Sequence, residues 1–138
     1  MANYNELLVS ASDAEVLVSV VGNRVADPLE AEAADALADL LMAARMVPHE
    51  RLPADRVRMN SFVTYREEPG GAQRSVMVVH PNEANAADGR ISVLSPIGRA
   101  LLGRKPGAVI AASVPGARAL TIHVLHVEKA AGPLGEGR

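Results

Sequence analysis

The chain has no cysteine and no tryptophan, and its 138 residues include only one phenylalanine and two tyrosines. Without cysteine there is no disulfide frame, no thiol nucleophile and no thiolate metal site, which agrees with a reducing compartment. The shortage of rings excludes more. An aromatic-lined ligand pocket, or a stacking platform for single-stranded nucleic acid, needs more than three of them. Strong charge of one sign is also lacking: 14 Lys and Arg stand against 16 Asp and Glu, for a net charge of -2. Binding to a phosphate backbone draws on clustered cations, so a protein partner is expected rather than DNA or RNA. No apolar run is long enough to span a bilayer. The N-terminus shows no basic stretch followed by an apolar core, so a cytoplasmic location is expected. Ser10, Ser12 and Ser92 lack elbow-type glycines, and no glycine loop is set to cradle a phosphate.

What is present is an aliphatic pattern that changes character once. Ser12-Asp13-Ala14-Glu15 reads as a capping box, and Val16, Leu17, Val20 and Val21 follow at helical spacing. Gly22-Asn23 stops that helix. Asp27-Pro28-Leu29-Glu30 starts a second, expected to run to about Met46, with an apolar stripe through Leu29, Ala33, Leu37, Leu40 and Leu41. The short connection predicts an antiparallel, coiled-coil-like helical hairpin over residues 1–50.

Beyond the Pro48–Asp55 linker the period shortens to that of strands. Strands are predicted at Val57–Arg66, Ser75–His80, Ile91–Leu94, Val109–Val114 and Ala119–Val127, with a turn at Glu67–Gly71 and a polar excursion at Pro81–Gly89. The alternation of Leu120, Ile122 and Val124 slips at Leu125, where a bulge is expected. Residues 130–138 read as a glycine-rich, disordered tail. The fold class is therefore α+β: a helical hairpin, then an antiparallel sheet domain over residues 51–129 with one short helix on it.

That helix follows Ser95-Pro96 and ends at Gly103: a cap, a proline suited to the first helical position, and a C-terminal glycine. Arg99, Arg104 and Lys105 suit the negative end of its dipole. The wording of the segment, Ile91-Ser92-Val93-Leu94-Ser95-Pro96-Ile97-Gly98-Arg99-Ala100-Leu101-Leu102-Gly103, resembles the signature of the C-terminal domain of bacterial Gre-type transcription factors. Val57-x-Met59-Asn60-Ser61-x-Val63 and Lys105-Pro106-Gly107 extend the likeness. The whole chain is similar to the Rnk family, regulators of nucleoside diphosphate kinase, through Asp35-Ala36-Leu37, Met46, Pro53 and Met59-Asn60-Ser61 together with its length.

The resemblance implies an FKBP-like sheet domain that docks on RNA polymerase near the secondary channel and competes there with Gre factors. It makes Ser95, Pro96, Ile97, Gly98, Arg99 and Leu102 the candidate polymerase contacts. No enzymatic activity, metal or cofactor is expected, and the protein is expected to be a monomer. The alternative is a Gre-like transcript-cleavage factor. Gre factors carry an Asp and a Glu three residues apart at the hairpin tip, where they help to hold a catalytic magnesium, and Asp27 and Glu30, beside Arg24, match that spacing. The same residues also make an ordinary helix start. A second helix of about 18 residues reaches only about 27 Å, and Gre hairpins are much longer. A prolyl isomerase, which the fold alone suggests, would need a ring-lined pocket. His123 and His126 stand three apart on one strand and are expected on opposite faces, so they should not converge on a metal.

Overall fold

The computed structural model describes residues 7–22, 28–112 and 119–128, with the backbone alone for residues 28–30. Helices α1 (Ala11–Gly22) and α2 (Pro28–Ala43) form the hairpin. Two short strands clasp its open end, β1 (Leu8–Ser10) and β2 (Arg45–Val47), paired in parallel. The sheet domain contains β3 (Phe62–Glu68), β4 (Gln73–Val79), β5 (Arg90–Ser92), β6 (Val109–Ala112) and β7 (Leu120–Glu128), in the order β5-β4-β3-β7-β6. One helix, α3 (Pro96–Leu101), lies between β5 and β6 in the chain.

The helix boundaries differ from those expected. The Asp13 amide donates to Ser10 Oγ at 3.0 Å, so Ser10 caps α1 two residues before Ser12. Asp13 thereby takes the third position of the capped turn. It does not reach back to the cap; its carboxylate accepts from the Met59 amide in the sheet domain at 2.9 Å. Helix α2 stops three residues short of Met46. Pro48 disfavours helical backbone at Val47, and the Arg45 amide instead donates to the Leu7 carbonyl at 2.9 Å.

The sheet is mostly antiparallel, but β5 runs parallel to β4. The excursion between them holds two one-turn 3-10 helices, Pro81–Glu83 and Ala86–Asp88, and turns the chain so that it re-enters in the same direction. The expected bulge is at Leu125. Thr64 pairs with His126 and Tyr65 with Val124, which leaves Leu125 without a partner across the ladder. The extra residue lets Val124 and Val127 both face the core while Leu125 and His126 face outward.

One hydrophobic cluster runs through both parts. Leu17, Val20, Leu37 and Leu41 of the hairpin join Val57, Val63, Tyr65, Leu101, Leu102, Ile122 and Val124. The hairpin therefore does not project alone; its inner face is completed by α3 and the sheet. The seam is also bonded through the backbone. The Leu8 amide donates to the Gly103 carbonyl at 3.3 Å, and Arg56 Nη1 donates to the same oxygen at 2.9 Å. Gly103 has φ +80°, and a Cβ there would lie 3.1 Å from the Leu8 carbonyl oxygen. Both the backbone conformation and the close approach require glycine.

Burial pushes the Asp13 carboxyl above its ordinary value of 3.8, against the pull of the Met59 amide, Arg58 and His49. A raised folded-state value favours the protonated form in the native protein. That contribution is full below 3.8 and is lost as pH rises through the higher folded value. Relative to Asp13→Asn, which does not ionise, the wild type should therefore be more stable at pH about 3.5 than at pH 7. Urea unfolding of both proteins at the two pH values checks the sign.

Candidate docking site at the first turn of α3

The turn from β5 into α3 is built by two serines. Ser92 Oγ accepts from the Leu94 amide at 2.9 Å. Ser95 Oγ donates to the Ser92 carbonyl at 2.7 Å and accepts from the Gly98 amide at 3.1 Å. Both hydroxyls are thus committed to the backbone, and neither is poised as a nucleophile. Ser95 is the cap that the sequence predicts, with Pro96 at the first helical position. The role of Ser92 was not foreseen; a Ser-x-x-Ser spacing ahead of a helix is the local turn signal that would have revealed it.

Gly98 holds this turn against the strand. A Cβ at Gly98 would lie 2.2 Å from the Ser92 carbonyl oxygen, far inside contact distance. Only glycine lets the helix begin this close to β5. Arg99 turns back over the same segment, its Nη1 donating to the Leu94 carbonyl. Burial lowers the Arg99 pKa, and Glu32 of α2 acts against that shift.

The six candidate contacts separate into two sets. Ser95, Pro96, Ile97 and Arg99 are half-buried and contribute surface at the start of the helix. Gly98 is buried, and Leu102, at 1% exposure, belongs to the core beneath the hairpin. Leu102 is therefore corrected from a surface contact to a packing residue that seats α3. The basic residues divide as well. Arg104 Nε donates to the Ala100 carbonyl at 3.4 Å and serves the helix end, whereas Arg99 serves the turn before the helix. Burial, and after it the neighbouring Arg56, lowers the Arg104 pKa.

Arg24 and Asp27 lie outside the described residues. Glu30 is placed only by its backbone, in the first turn of α2. The expectation for the two histidines is reversed by the bulge. His123 pairs with Arg66 and His126 with Thr64, so both stand on the outer face of the sheet. Among the described residues no three His, Cys, Asp or Glu side chains gather to hold a metal. Tyr65 is buried in the core, and Phe62 is on the outer sheet face.

Comparison with known proteins meets this geometry at the same segment. Residues 52–129 match the family model described as "Transcription elongation factor, GreA/GreB, C-term". The chain belongs to that family. Within it, the chain resembles the "Regulator of nucleoside diphosphate kinase" of Escherichia coli K12, 38% identical over 95 residues, covering 69% of this chain and 70% of the relative. It is 35% identical over 80 residues to the "Transcription elongation factor GreA" of Brucella anthropi, spanning 58% of this chain and 51% of that protein. Among solved structures it is similar to "Prokaryotic transcription elongation factor GreA/GreB from Nitrosomonas europaea", with a TM-score of 0.69 and 30% identity over 89% of this chain and 98% of that one. The likeness to Rnk proteins, as relatives of Gre factors, therefore holds.

Three substitutions test the turn. Gly98→Ala should destabilise the protein by about 1–3 kcal/mol, because the added methyl meets backbone that cannot yield cheaply. Ser95→Ala should cost about 1 kcal/mol, with most of it recovered in Ser95→Asp, which keeps a capping acceptor. Denaturant midpoints of the three variants against wild type give the answer.

Proposed function

We propose that this protein is a regulator that binds RNA polymerase near the secondary channel, competes there with Gre factors, and has no transcript-cleavage activity of its own. The single observation that carries the reading is the Ser95-Pro96 turn. It has the wording of the Gre family, and it is rigidly built by Ser92, Ser95 and Gly98. Its half-buried part, Ser95, Pro96, Ile97 and Arg99, is the proposed contact. In this reading residues 1–50 are the hairpin and residues 51–129 an FKBP-like docking domain, working as a monomer in the cytoplasm. The link to nucleoside diphosphate kinase, named for the Escherichia coli relative, would follow from altered transcription.

The absence of cleavage is argued from reach. Helix α2 has 16 residues, about 24 Å at 1.5 Å per residue. Its lower end is occupied in packing on α3 and the sheet, so little of that length can project. Leu37 and Leu41 are buried in the shared core. The proposed hairpin would stop in the mouth of the channel, and Asp27 and Glu30 would serve as a helix start there. The prolyl isomerase reading gains no support, because Tyr65 is buried in the core and Phe62 stands on the opposite, outer face of the sheet, so the two rings do not line one pocket.

Purified core polymerase should bind the labelled protein saturably. Pro96→Glu keeps a residue suited to a helix N-terminus but places a charge and a longer side chain on the proposed contact. It should weaken binding about tenfold or more while leaving the melting temperature within a few degrees. Absence of saturable binding by the wild type would refute the reading.

A further inference from the structure

The hairpin has a second surface that the α3 turn does not use. At the edge of the shared core, an open groove of about 550 Å³ is lined by Val18 and Val21 of α1, Ala38, Leu41 and Met42 of α2, and Met46 of β2, with the buried Leu41 at its base. It is apolar and largely uncovered: Val18 is 60% exposed, Met42 85% and Met46 49%. Methionines on a solvent-facing groove are costly to hydrate and repack readily around an apolar guest.

The charges around the groove identify the guest. The sequences of α1 and α2 carry six acidic residues, Asp13, Glu15, Glu30, Glu32, Asp35 and Asp39, and no basic one. Asp13 is engaged with Met59 at the seam. Helical spacing puts Glu15 one turn from Val18 on one wall. It puts Asp35 one turn from Ala38, and Asp39 one turn from Met42, on the other. All three are exposed. Among the described residues of α1, α2 and β2 the only basic residue is Arg45, in β2 beside Met46. The described surroundings of the groove are therefore net acidic around an apolar floor.

We propose that this groove docks a basic amphipathic helix of a partner protein, its apolar stripe on Val18, Met42 and Met46 and its Lys or Arg residues against Glu15 and Asp39. A helix in a groove between two helices is a common mode of peptide recognition, with anchors at helical spacing. A second copy of this chain is the poorer occupant, because it would bring a second set of the same acids to the contact. The site is distinct from the α3 turn, and its test contains no polymerase, so the two readings fail separately.

The probe is a fluorescent 18-residue helical peptide of Leu and Lys, with Leu along one face, compared with its Leu and Glu counterpart. Fluorescence anisotropy with the full chain should show saturable binding of the Lys peptide, weakened roughly tenfold or more as salt is raised to about 0.5 M. The Glu peptide should not bind. Met42→Glu, at a position too exposed to threaten the fold, should reduce binding at least about fivefold, whereas Phe62→Glu on the outer sheet face should not change it. Equal binding of both peptides, no saturable binding, or affinity indifferent to Met42→Glu would overturn the proposal. So would a dimer of the free protein in sedimentation that Met42→Glu dissolves, since it would make the occupant a second copy.

Discussion

The close approach of Gly98 to the Ser92 carbonyl is the constraint on which the rest of the molecule depends. With no side chain at Gly98, the first turn of α3 sits directly on the backbone of β5. That position brings Leu101 and Leu102 under the hairpin, where both are almost completely buried. It also sets Gly103 where the Leu8 amide can reach its carbonyl. The helix is only six residues long and would not persist alone. It is held because one end is locked by two serines and the other is bonded to β1 and to Arg56.

A shared core follows from that arrangement. The two-helix hairpin buries little by itself, so Leu17, Leu37 and Leu41 borrow their partners from α3 and the sheet. Asp13 adds a polar tie across the same seam, from the capped first turn of α1 to Met59. The hairpin and the proposed docking turn are thereby parts of one packed body. A partner that binds the turn would also fix where the hairpin points. The same packing consumes hairpin length, and this makes a short, fixed hairpin a physical argument against transcript cleavage.

Much of this was legible in the residues, for identifiable reasons. Helix α3 announced itself because Ser95, Pro96 and Gly103 each serve one local purpose at one position. The bulge at Leu125 was legible because a period of two cannot slip without an extra residue. What was hidden was tertiary. Ser12 and Glu15 formed the better-looking capping box, but the strand pairing of Leu8–Ser10 placed the cap at Ser10. The burial of Leu102 depended on the hairpin folding over α3, which no spacing in the segment reveals. The parallel entry of β5 came from the path of a polar excursion whose composition says only that it is a loop. The two histidines show both sides: the bulge was expected, yet its consequence, which puts His123 and His126 on the same face, reads clearly only once the register is known.

The most direct measurement uses stalled, backtracked elongation complexes, with this protein added alone and then together with a Gre cleavage factor. A short-hairpin competitor that docks through the Ser95-Pro96 turn should release no RNA fragment by itself and should suppress Gre-stimulated cleavage in proportion to its concentration. Stimulation of cleavage by the protein alone would contradict this, and would make the Asp27 and Glu30 pair chemically active.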